Sequence, residues 1–183
     1  MNKSLYIILA LLIILIPTCC LSQTRLYEPC SEIERSYFDN CKKYIFPDDI
    51  RDNIAAYSDA LIAWVGIIQE YRVFEEEEYW AVEFLLKHHY YDWIEDFVGV
   101  SPIKLSPLGE GYFSAFWNFK KSSDLDELLS GIEGDLLITY GFPHDVAEFK
   151  LIRLDTKYIR HIPKQYIDTS WLPYDRKLLG GSY

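Results

Sequence analysis

The chain has 183 residues, half of them apolar and 16% aromatic, enough for one ordinary domain with a true core. Eighteen Lys and Arg stand against 28 Asp and Glu, a formal net charge of −10. Such a surface repels phosphate backbones and anionic lipid, which excludes nucleic acid as a partner.

Residues 1–22 follow the grammar of an export signal. Lys3 supplies the positive start, Leu5 to Ile16 is apolar apart from the amphipathic Tyr6, and Pro17 ends the run. That run, about 12 residues at roughly 1.5 Å each, is too short to cross about 30 Å of hydrocarbon as a helix. Cys20-Leu21-Ser22 then offers small residues at the −3 and −1 positions before Gln23. Cys19 and Cys20 are also the candidate lipidation residues, although Pro17 and Thr18 replace the small pair that usually precedes a lipidated cysteine. Two outcomes stay open: a lipoprotein held to a periplasmic or outer membrane, or a freely secreted or periplasmic protein. Loss of the signal takes Lys3 with it and leaves 17 basic against 28 acidic residues.

Cleavage after Ser22 would leave Cys30 and Cys41 as the remaining cysteines. In an oxidising compartment such a pair is expected to form a disulfide. The four-residue recurrence of Ile33, Tyr37, Cys41 and Ile45 reads instead as a helix. A helix from Cys30 to Cys41 would hold the two about 16 Å apart, too far to bridge, so the disulfide requires a fold-back near Asp39-Asn40. Beyond Asn2 the sequence has no Asn-x-Ser/Thr site, and no N-glycosylation is expected.

Residues 23–47 form an N-terminal lead-in. Pro47-Asp48-Asp49 then opens a short helix, Ile50 to Tyr57, with acidic residues at its positive end. The first strand is Ala60 to Phe74, with a bend expected at Gly66. Glu75 to Glu78 is a solvated hairpin tip. The second strand is Tyr79 to Trp93, with Trp80, Val82, Phe84 and Leu86 alternating on one face. A Pro- and Gly-bearing loop covers 99–111, and the third strand is Gly111 to Phe119. A helix follows, capped by Ser122 or Ser123, with Leu125, Leu128, Leu129 and Ile132 on its apolar face. The fourth strand, Asp135 to Phe142, ends at Pro143; the fifth, Glu148 to Ile162, ends at Pro163. Three strands, a helix and two strands match a mainly β, five-stranded OB-like Greek-key barrel over 48–165, with one helix between strands 3 and 4. Residues 166–183 read as an irregular tail.

The stretch DIRDNIAAYSDALIAWVGII, ending at Ile68, resembles the start of the Slp family of bacterial outer-membrane lipoproteins. There, a short helix ending in Tyr precedes a strand with an aromatic-x-Gly centre, here Trp64-Val65-Gly66. Gly111-Tyr112-Phe113-Ser114-Ala115 and Asp135-Leu136-Leu137-Ile138-Thr139-Tyr140-Gly141 fall where that family has its third and fourth strands. Asp168-Thr169-Ser170-Trp171-Leu172-Pro173-Tyr174 is similar to its aromatic tail. The resemblance spans about residues 48–175. It implies an envelope lipoprotein with an OB-like barrel and no known catalytic residues.

His88, His89, Asp92 and Glu95 are the densest set of metal-ligating types, but alternation sends the two histidines to opposite faces of a strand, so no metal site is read. Four consecutive carboxylates at Glu75 to Glu78 lack the Gly or Asn spacing that wraps a cation. No Gly-x-Ser-x-Gly elbow and no phosphate-binding glycine pattern occurs, so no catalytic residues and no cofactor are assigned. The remaining feature is an aromatic strip on the second strand, with Tyr79, Tyr91 and Trp93 as candidate ligand-facing residues for a stacking platform. The expectation is a non-catalytic cell-envelope protein, a binding or structural module whose partners are other envelope components. The alternatives are an extracytoplasmic hydrolase of glycans or peptides, and a secreted inhibitor or effector that docks through an aromatic surface.

Overall fold

The computed structural model describes residues 27–91, 93 and 103–169. The export signal, Cys19 and Cys20, Asp92, Glu95 and the aromatic tail from Ser170 onward lie outside the described residues. Helix α1 is Glu32–Asn40, α2 is Pro47–Arg51 and α3 is Leu125–Leu129. The strands are β1 (Ile62–Glu75), β2 (Tyr79–His88), β3 (Ile103–Lys104), β4 (Tyr112–Lys120), β5 (Leu136–Val146), β6 (Ile152–Ile162) and β7 (Ile167–Asp168).

The five long strands close into a barrel in the order β1-β2-β4-β6-β5, with β5 returning to β1. β4 and β6 run parallel, and the other barrel pairs are antiparallel. With α3 between the third and fourth long strands, this is an OB-like barrel. Closure depends on β1, which pairs with β5 over Ile62–Ile67 and with β2 over Gly66–Glu75. The expected bend at Gly66 is corrected: the register slips between Ile68 and Glu70. Gly66 answers a different demand. A Cβ there would meet Leu86 Cβ at 2.8 Å and Phe113 Cε1 at 2.9 Å, so the barrel interior is filled right up to its backbone.

Alternating residues fill the barrel, with Trp64, Phe84, Leu86, Phe113 and Leu154 buried inside, Ile50 of α2 packed at the core and Leu129 of α3 joining it. A second apolar cluster lies outside the barrel. There Tyr27, Tyr91 and Trp93 cover the outward residues Ala63, Val65, Ile138 and Tyr140 of β1 and β5. The first half of β5, Leu136 to Gly141, is therefore buried on both faces.

A buried carboxylate fixes the lead-in to this outer face. Glu34, fully buried on α1, accepts hydrogen bonds from Tyr27 Oη, from Tyr140 Oη at 3.1 Å and from Cys30 N at 2.6 Å. Arg160 Nη1 lies 3.6 Å from the carboxylate and donates to Tyr27 Oη at 2.8 Å. Burial, reinforced by the hydrogen-bonded Glu34, raises the Tyr27 hydroxyl far above the usual phenol range. Burial, with Tyr27 and Glu34 close by, does the same to Tyr140. Both phenols stay protonated and able to donate.

The expected Cys30–Cys41 bond is not formed. Ser31 Oγ caps α1 by accepting from Glu34 N at 3.1 Å, and the continuous helix then separates the thiols by about 14 Å of rise. Cys30 is free and exposed; Cys41 is free and buried, its thiol donating to Phe38 O at 3.3 Å.

Other element boundaries also differ from the sequence expectation: the helix expected over Ile50 to Tyr57 closes at Arg51, and a separate 3-10 turn follows at Ile54–Ala56. Asp124, not a serine, caps α3 by accepting from Glu127 N at 3.1 Å. β5 continues through Pro143 to Val146, because this end pairs only with β6 and the register slips there, so the missing N–H breaks no ladder. Glu148–Lys150 is a turn, and β6 starts at Ile152. The tail begins as a strand, β7, running parallel to β3 within the expected loop.

Candidate ligand-binding cleft

On a strand, alternate side chains leave the barrel, and on β2 and β4 the outward set is Glu83 and Leu85 with Tyr112, Ser114 and Phe116. Leu85 opposes Ser114, which in turn opposes Arg153 on β6. This is the strand 2–strand 3 face on which OB barrels bind ligands, flanked by the loop between the last two barrel strands. A cleft of about 590 Å³ lies here, walled by Arg51 of α2, Leu85, Tyr112 and the β5–β6 hairpin from Glu148 to Leu151. It continues past Leu85 and Leu151 into a narrower groove of about 150 Å³ floored by Ser114 and Arg153.

The hairpin is unusual. Phe149 has φ 58° and ψ 26°, and Lys150 has φ 60°. Two consecutive left-handed residues form the type I′ turn that suits strand twist, which Asn-Gly fills without strain. A bulky aromatic there is strained. Phe149 is also 99% exposed, so its ring gains nothing from the barrel core. Tyr112, 48% exposed, stands on the same cleft.

Arg51 braces the opposite wall. Its guanidinium, 15% exposed, pairs with Asp48, donates to Glu110 O and gives its Nε–H to Lys150 O at 3.3 Å. Glu110 supports this from below: its carboxylate accepts from Asp48 N and Tyr90 Oη, each at 2.7 Å, and its N–H donates to His88 Nδ1 at 3.0 Å. The cleft wall is therefore preorganised before any ligand arrives.

The groove floor is less satisfied. Ser114 is 1% exposed and its Oγ has no hydrogen-bond partner among the described residues. The same holds for Arg153 Nε and Asp145 Oδ1, although Arg153 Nη1 reaches Asp145 Oδ2 at 3.3 Å and its Nε lies 3.9 Å from Glu83. Two buried polar atoms of the groove lining, Ser114 Oγ and Arg153 Nε, thus have unmet capacity, where an unmade buried bond costs on the order of 1–3 kcal/mol. Charges along cleft and groove are matched: Arg51, Arg72, Lys150 and Arg153 face Asp48, Glu70, Glu83 and Glu148.

The aromatic platform expected from the sequence is not built. β2 stops at His88 and the chain leaves the barrel, so Tyr91 and Trp93 are 5% and 4% exposed, packed edge-on at 4.8 Å in the outer cluster with Tyr27. Only Tyr79 is exposed, at the acidic end of β2, about 20 Å of strand away from Leu85. Sequence reading missed Tyr112, Ser114, Phe149 and Arg153. The third strand did carry a signal: Tyr112, Ser114 and Phe116 alternate with the core residues Phe113 and Ala115. Phe149 left no signal, because Glu148–Leu151 reads as the start of a strand.

His89, just past β2, is a buried feature outside the cleft. Its Nδ1–H donates to Ser106 O at 2.7 Å, and Nε2 meets no partner among the described residues. Burial holds its pKa below the ordinary histidine value, against the smaller opposing effect of the Ser106 bond. Comparison with known protein families, with characterised proteins and with solved structures finds no match to this chain.

Proposed function

We propose that this protein is an exported OB-type binding module of the cell envelope, which holds its ligand in the cleft between β2, β4 and the β5–β6 hairpin. The observation that carries this reading is Phe149: a fully exposed aromatic ring kept in a left-handed turn at the cleft mouth. Strained, solvent-facing residues persist where function holds them. The export grammar of residues 1–22 and the Slp-like pattern support the envelope location, with Cys19 or Cys20 as the site of a lipid anchor. The braced Arg51 wall and the unmet polar atoms at Ser114 and Arg153 support binding at this face over a purely structural role.

The test replaces Phe149 with a photo-crosslinking phenylalanine analogue and irradiates intact cells. An adduct is expected from position 149 and not from the same analogue at Tyr166, which is 56% exposed and lies outside the cleft. Equal labelling at both positions, or none at 149, overturns the reading.

A further inference from the structure

We infer that the cleft takes a neutral, hydroxyl-rich oligosaccharide; this rests on the reading of the cleft as a binding site. The groove floor sets the chemistry. Ser114 Oγ both donates and accepts, Arg153 Nε only donates, and the Glu83 carboxylate beside it only accepts. A hydroxyl group, donor and acceptor at once, answers all three. A phosphate or sulfate brings only acceptors and meets the carboxylates of Asp145 and Glu83 beside the guanidinium. An apolar ligand leaves every one of these atoms unmet, at the full desolvation cost.

Charge and shape point the same way. The cleft carries as many carboxylates as cations on a chain of net charge −10, so it presents no field that would draw in a polyanion. The exposed rings of Tyr112 and Phe149 offer flat apolar faces for the C–H face of a sugar ring, while the floor takes its hydroxyls. Leu85 and Leu151 line both the cleft and the groove, so the site is continuous. Along β4 the site runs from Tyr112 in the cleft to Ser114 in the groove, about 7 Å of strand, and the cleft extends it sideways to the Phe149 turn. An extended peptide fits less well. β4 is already paired on both sides at Ser114, with Leu85 and with Arg153, so no main-chain edge is open for an added strand.

The test is an array of neutral gluco-, xylo- and N-acetylglucosamine oligomers, with sulfated oligomers, uronic-acid oligomers and a single-stranded oligonucleotide as anionic probes. Retention of a neutral oligomer is expected, and added salt should leave it unchanged. Ser114→Ala and Phe149→Ser should each weaken it by about tenfold or more, the order of a lost specific contact. Neither change threatens the fold: one removes an unpartnered hydroxyl, the other an exposed ring, and matching melting curves check this. Retention of anionic probes alone, or neutral binding that both variants leave intact, overturns the inference. So does an array with no neutral ligand; a crosslink at position 149 to an envelope protein would then leave the binding reading standing while the sugar assignment fell.

Discussion

His89 shows how one proton can be tied to folding. A carbonyl only accepts, so the bond to Ser106 O puts the proton of the neutral ring on Nδ1 and leaves Nε2 bare and buried. Protonation would create a cation whose second N–H meets no acceptor among the described residues. The folded pKa lies below the unfolded value of 6.5, so between the two the unfolded chain binds more protons. This contribution is complete above 6.5 and is lost as pH falls through the folded pKa. Urea titrations at successive pH values should show wild type losing stability below 6.5 more steeply than His89→Asn. Equal slopes would remove His89 from the account. Gly66 is the steric counterpart. Gly66→Ala places a Cβ against Leu86 and Phe113 inside a filled barrel and should cost about 2–3 kcal/mol, read as a shift in the denaturation midpoint.

Among the elements, the β5–β6 hairpin sets local stability against recognition. A left-handed conformation costs an ordinary residue roughly 1–2 kcal/mol, and Phe149 and Lys150 both adopt it. Replacing Phe149-Lys150 by Asn-Gly should therefore stabilise the protein by about 1–2 kcal/mol and abolish ligand binding. A double variant no more stable than wild type would mean that the turn is not strained. β2 teaches a related lesson. Its alternation is genuine from Trp80 to Leu86, yet the pattern does not say where the barrel stops using it. Beyond His88 the same aromatic-rich sequence turns outward and packs Tyr91 and Trp93 against the lead-in. A ligand-facing strip and a second core look alike in one dimension, because both alternate aromatic with polar residues.

For the whole molecule, the lead-in is part of the fold and not a tether. Glu34, Tyr27, Tyr140 and Arg160 form one buried charged network that joins α1 to the outer face of β5 and β6. Removing one partner of such a network leaves the other charge buried, at about 3–5 kcal/mol. Glu34→Ala should strand Arg160 and release residues 27–41 from the barrel. Limited proteolysis should then cut within α1 at protease levels that spare wild type. A variant as resistant as wild type would show that the aromatic contacts of Tyr27 and Trp93 suffice.

Periodicity and punctuation were enough to determine the barrel. Five runs of strand character, the capped Leu-rich helix between the third and fourth, and the acidic turn at Glu75 to Glu78 are local signals that survive into the structure, because each strand buries one face in the same core. The binding face was not legible in the same way. Ser114 becomes a candidate only when Leu85 and Arg153 stand on either side of it, and both pairings join strands distant in sequence. Phe149 becomes one only when its backbone is seen to be left-handed and its ring bare. The cysteines follow the same rule. Composition and compartment favoured a bond between Cys30 and Cys41, but a bond needs the two side chains within a few ångströms of each other, and the capped helix between them keeps them apart. Local pattern decides which segments form strands and helices; only the assembled barrel decides which side chains meet.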